Sequence, residues 1–167
     1  MTAYSYNFLL HILAFGFSSA ALISFFILNK KMNSEPDWDR KLYIGGIMRL
    51  FASFGPYVVV VLLLTGVGNM MNRYGLGGVW PRETWLEVKI VLFIILSINA
   101  IYIAPRINAK RAMLIKSAID NKRPENFEQL LSRQNKTISL FLYLQATLLL
   151  SIVVLSAFGS GKHPGMF

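Results

Sequence analysis

Asn7–Leu28 reads NFLLHILAFGFSSAALISFFIL, a run in which His11 is the only ionisable side chain. A helix needs about 20 consecutive apolar residues to cross a hydrocarbon core roughly 30 Å thick, and this run is long enough. It is also apolar nearly all round, whereas a helix on the surface of a soluble domain keeps a polar face. Three further blocks share these properties, at about Ile44–Val67, Trp85–Ile103 and Thr137–Phe158. The expected fold is therefore all-α: an integral membrane four-helix bundle occupying the whole chain as one domain. No Lys or Arg precedes the first run, and Leu28 leads straight into Asn29-Lys30-Lys31. That is a charged stop rather than a small-residue cleavage site, so the first run is expected to stay as a helix.

The loop charges predict an orientation. The first connection carries Lys30, Lys31, Arg40 and Lys41, and the third carries Arg106, Lys110, Arg111, Lys116, Lys122, Arg123, Arg133 and Lys136. The second has only Arg73 and Arg82, and Lys162 alone follows the last run. The positive-inside rule places connections one and three in the cytoplasm and both termini outside, in a multi-pass protein of the cell (inner) membrane. Tyr74, Trp80 and Trp85 around the second connection suit the outer headgroup level. The net charge of +9 then reflects orientation and anionic lipid, not nucleic acid. With no cysteine, disulfides, thiolate metal sites and iron–sulfur clusters are excluded.

Two helical extensions are expected between the third and fourth spans, on the cytoplasmic side. Pro124-Glu125-Asn126 followed by Phe127, Leu130 and Leu131 reads as a helix start with Pro in its first turn. Arg106–Lys122 reads as a basic amphipathic continuation of the third helix, with Ala112, Ile115 and Ile119 on one side and anionic lipid as its expected partner. Inside the spans, Gly16, Ala20 and Ser24 form a small-residue row suited to close helix packing. Pro56 should kink the second helix. Gln145, Asn99 and Tyr143 are expected to hydrogen-bond between helices.

Ionisable residues within a bilayer are costly, so they point to function. His11 and Lys89 each lie about one turn inside a helix entering from the same side, at nearly equal depth. Helix packing would turn them toward one interhelical site. Arg49 lies about one turn inside the opposite leaflet, where an arginine either snorkels to phosphates or takes part in catalysis with Lys89. Asn69, Met70, Met71, Glu87, His163 and Met166 gather on the outer side. Met70, Met71 and His163 are an alternative copper ligand set, since thioether and imidazole suit that metal.

The run Leu10-His11-Ile12 opening the first helix resembles the start of HemJ-type protoporphyrinogen oxidases and of CopD-like copper-resistance membrane domains. The arginine-led second helix ending Leu64-Thr65-Gly66 and the Trp85-Leu86-Glu87-Val88-Lys89 opening of the third resemble the same group in order and spacing. Two departures stand beside these matches. Ile27-Leu28-Asn29-Lys30 replaces a Leu-Pro-Arg segment, and the fourth helix lacks an Asn-Glu before its apolar run. The resemblance implies a bound haem b and porphyrinogen oxidation, with a first-helix histidine and a third-helix lysine of importance; these fall on His11 and Lys89. Axial bonds in a chain without cysteine come from His, Met, Tyr or Lys, and His163 sits in a glycine-rich tail, so His11 is the expected ligand to haem iron. Lys89 would be a second ligand as a neutral amine, or a haem-propionate partner as a cation.

The expected function is a membrane redox protein of porphyrinogen oxidase type. Its partners would be the lipid bilayer, a porphyrin substrate or electron-transfer protein, and a second copy of the chain. Copper handling, or a non-catalytic place in a larger membrane complex, are the competing expectations.

Overall fold

The structure is a computed structural model that describes residues 3–75 and 83–160. Among these, all regular structure is helical: α1 (Ala3–Ser34), α2 (Trp38–Ser53), α3 (Gly55–Tyr74), α4 (Thr84–Ile98), a π-helical turn (Asn99–Ile103), α5 (Ala104–Ile119) and α6 (Phe127–Ser160). Four helical rods are long and apolar enough to cross a membrane: Ser5–Ser34, Trp38–Asn72, Thr84–Ile119 and Phe127–Phe158. Their large apolar side chains lie outward, among them Leu13, Ile23, Leu64 and Leu150. Water would not tolerate that surface, but hydrocarbon does.

Each rod carries local chemistry that sets its course. Asp37 caps α2, its Oδ1 accepting from the Arg40 N–H at 2.8 Å, which satisfies a donor left over at the helix start. Pro56 does not kink a continuous helix, as the sequence suggested. The helix breaks at Phe54, and Pro56 stands in the first turn of α3, where its missing N–H costs nothing. Pro105 acts in a similar way on the third rod. It cannot donate to the Ile101 carbonyl and its ring crowds that group. The preceding turn widens, and the Ala104 N–H reaches back five residues to the Asn99 carbonyl. Asn121, with φ of 54°, ends α5 in a left-handed conformation. The Lys122 N–H then bonds the Ser117 carbonyl at 2.9 Å and that of Asn121 the Ala118 carbonyl at 3.4 Å, so the last carbonyls of α5 are satisfied. Helix α6 begins at Phe127, one turn after Pro124 and not around it.

α1 pairs with α3 and α4 with α6, and α1 and α6 join the two pairs, while α3 touches the third rod chiefly at its π turn. At 32 and 34 residues, α1 and α6 are about 48 and 51 Å long at 1.5 Å per residue. They overshoot a 30 Å hydrocarbon core by about 20 Å. The buried clusters gather at the end of the bundle that holds the α1–α2 and α5–α6 connections: Met32, Ile44, Met48 and Ile115 form one, and Ala118, Phe127 and Leu131 another. Trp38 bridges both clusters, edge-on to Phe127 at 5.5 Å, with the Lys41 ammonium 4.3 Å and the Arg123 guanidinium 5.2 Å from its ring centre. Of the basic Arg106–Lys122 stretch, the residues up to Ile119 are helical, and α5 packs on α2 and α6. Gly16 and Ala20, by contrast, are exposed, and a methyl group at Gly16 would meet nothing within 4 Å. The small-residue row is not where these helices touch.

Candidate functional site

The closest approach of α1 to α3 falls at glycine. A methyl group at Gly68 would come within 3.0 Å of the Asn7 amide, and one at Gly66 within 3.7 Å of His11 Cε1. These two positions let a polar cluster form between otherwise apolar helices. The Asn7 amide nitrogen donates to the Thr65 carbonyl at 2.9 Å and to Asn69 Oδ1 at 2.7 Å, so both of its protons are engaged. His11 Nδ1 lies 2.7 Å from Thr65 Oγ1.

The hydrogen-bond pattern assigns the His11 tautomer. Thr65 Oγ1 is also 2.6 Å from the Val61 carbonyl, which carries no proton of its own. The single hydroxyl proton must lie on that contact, so Thr65 can only accept from His11. Nδ1 therefore carries the ring proton, and Nε2 of a neutral ring keeps its lone pair. That is the form needed by a metal ligand or a proton acceptor, with the partner of the other nitrogen fixing the ring's orientation.

The stretches Leu10–Ile12 and Leu64–Gly66 are thus joined directly through His11 and Thr65. Lys89 is half-buried on α4. Leu86 is buried, and Trp85 Nε1 donates to Glu83 Oε2 at the start of α4. Glu87 is exposed.

Arg49 is not part of this cluster. It is exposed on α2, 16 positions before Thr65 and so roughly 24 Å away along the rod. Met70 and Met71 follow Asn69 at the end of α3, the first half-buried and the second exposed. His163, Met166 and Trp80 lie outside the described residues. Among the described residues no three of His, Cys, Asp and Glu converge as a metal cage.

A second polar centre lies at the opposite end of α1. Arg111, only 2% exposed, donates from Nη1 to Asn29 Oδ1 at 2.7 Å and to Asn135 Oδ1 at 3.4 Å. Its Nη2 lies 3.7 Å from the Met48 sulfur. Asn29 in turn donates to Ser139 Oγ at 3.3 Å, and Gln134 Nε2 to the Ile107 carbonyl at 2.7 Å. Side chains of α1, α2, α5 and α6 thus meet on one guanidinium, all through neutral groups. Such burial is tolerated only because hydrogen bonds replace the lost water. Counting Arg111 among the lipid-facing cations misses it. The available signal was periodic: Arg111, Ile115 and Ala118 share one helix face.

Of the mid-span polar residues, Asn99 is buried in the π turn and Tyr143 is exposed, edge-on to Phe26 at 5.4 Å. Gln145 is buried, and its Nε2 has no partner among the described residues. The chain matches no family model, no curated protein and no solved structure.

Proposed function

We propose that this chain is a multi-pass protein of the cell (inner) membrane, with both termini outside, that holds haem b at the α1–α3 cluster and works as a membrane redox protein of porphyrinogen oxidase type. The observation that carries the proposal is the fixed His11 tautomer, which leaves Nε2 free as an axial donor. The orientation rests on the loop charges. It puts His11 and Lys89 in the outer leaflet, and the Arg111 centre with its extensions toward the cytoplasm.

The donor chemistry of the cluster fits the group. His11 would supply the axial bond, Thr65 would hold the imidazole in place, and Lys89 would offer a cation to a propionate or an amine to the iron. When bound, haem supplies one-electron transfer. Asn7 and Asn69 brace the cluster and keep α1 in register with α3. Within the bundle, the interior between the helices is shaped for a smaller guest than a porphyrin, so the haem is assigned to the His11 level alone.

The test is spectroscopic. Protein purified in lipid nanodiscs and supplied with haem should show a Soret band, lost in His11→Ala and weakened or shifted in Lys89→Ala, with helicity unchanged. A wild-type chain that takes up no haem, or an unchanged spectrum in His11→Ala, overturns the assignment. Bound copper without a Soret band would favour Met70, Met71 and His163 instead. Reporters fused after Lys31 and at the C-terminus should behave as cytoplasmic and external, respectively.

A further inference from the structure

Between the α1–α3 and α4–α6 pairs lies a cavity of about 150 Å3. Its walls are apolar side chains such as Phe51, Leu62, Phe93 and Leu142, and neither His11 nor Lys89 lines it. Among the lining residues, Phe17 is 43% exposed, and Ala52 and Ala100 are also exposed. The cavity therefore communicates with the exterior of the bundle. Ala100 belongs to the π turn, whose widened backbone forms part of the wall, as such turns often do at binding sites.

Four lining residues carry polar side chains, Ser18, Ser97, Asn108 and Gln145, and one of these is buried without a partner among the described residues. Gln145 is 6% exposed, yet its Nε2 is buried with no hydrogen-bond partner. An unmet amide of this kind costs about 1–3 kcal/mol. Leucine would fill the position without that cost. Water can solvate a buried polar group, but it needs two to four polar partners to be held. Ser97 also lines the cavity, but its Oγ donates to its own helix at the Phe93 carbonyl.

We infer that this cavity binds a single six-membered ring bearing an oxygen, the chemistry shared by a phenol and the head of a membrane quinone, with Gln145 Nε2 donating to that oxygen. Size and polarity agree. An apolar cavity of about 150 Å3 admits a benzene ring, and the unmet Gln145 donor favours a ring that carries an acceptor. Entry is from the lipid side, where such molecules partition. The site is distinct from the His11 cluster and does not depend on haem.

The experiment uses the full chain in nanodiscs, titrated with 4-fluorophenol and, separately, fluorobenzene, with binding read from the fluorine resonance. 4-Fluorophenol should bind saturably at about one per chain and more tightly than fluorobenzene. Gln145→Leu should weaken 4-fluorophenol about tenfold, the value of one hydrogen bond, and leave fluorobenzene unchanged or tighter. Ala52→Phe, which narrows the cavity at its exposed rim, should weaken both rings. Displacement of 4-fluorophenol by 2,5-dimethylbenzoquinone points to a quinone head; retention points to a phenol. Non-saturable uptake in the wild type, or equal 4-fluorophenol affinity in the wild type and Gln145→Leu, overturns the inference. So does a lack of effect of Ala52→Phe on either ring.

Discussion

The two polar centres of this molecule stand at opposite ends of α1 and treat their ionisable residue differently. At one end His11 is half-buried and held by a single threonine, which leaves one ring nitrogen uncommitted. At the other, Arg111 is almost wholly buried, and its terminal nitrogens are taken up by Asn29, Asn135 and Met48. A centre whose atoms are all engaged ties helices together, whereas one with an uncommitted atom can act on something else. On this basis Arg111 is the structural centre, and His11 is the residue to which the proposed function assigns chemistry.

The strongest way to break that comparison is to strand the charge. Asn29→Leu removes the shortest hydrogen bond to a guanidinium that remains buried, and the expected loss is about 3 kcal/mol. It should appear as a clear fall in thermal midpoint in detergent. Arg111→Met removes the charge itself and leaves only neutral amides unmet, at about 1–2 kcal/mol. The double variant should be more stable than Asn29→Leu alone, because no cation is then left without its partner. If Arg111→Met proves the costlier single change, packing rather than charge dominates that centre.

Thr65→Val probes the other centre and should have a smaller effect on stability, about 1 kcal/mol. Its larger effect is on chemistry. Without the hydroxyl either His11 nitrogen can carry the proton, and haem affinity should fall by about 10–100-fold. A Soret titration of the variant measures this. Full affinity in Thr65→Val would show that the tautomer is not what makes His11 a ligand, while the fold prediction would stand.

The same contrast explains what could be read in the sequence. Span number follows from length and apolarity, which are one-dimensional properties. Arg111 is hidden because its neighbours Arg106, Lys110 and Lys116 are exposed, so composition averages it into a solvated stretch. Only its spacing to Ile115 and Ala118, together with two distant asparagines, marks it as buried. The π turn is similarly obscured: Pro105 announces a backbone problem, but the remedy depends on how α5 docks against α2 and α6. Pro56 has the same chemistry and a different outcome, a break, because Phe54 and Gly55 precede it. Gln145 was recognisable as a polar residue in a span, but whether it had a partner was not.

The smallest expected effect concerns the row of small residues on α1. Gly16 faces open space, so Gly16→Leu should clash with nothing in this chain. Glycine is roughly 0.8–1 kcal/mol less favourable than alanine inside a helix, and leucine is close to alanine. The substitution should therefore leave stability unchanged or raise it by up to about 1 kcal/mol, and in lipid it adds an apolar side chain to an apolar surface. A thermal midpoint measured in nanodiscs carrying one chain each tests this against nanodiscs carrying two. If Gly16→Leu is neutral in the first and destabilising in the second, the face that α1 leaves uncovered is where a second copy packs. If it is neutral in both, the row faces lipid, and α1 makes its close approaches elsewhere, at Gly66 and Gly68, which bring His11 to Thr65, and at Gly45, which meets Met32.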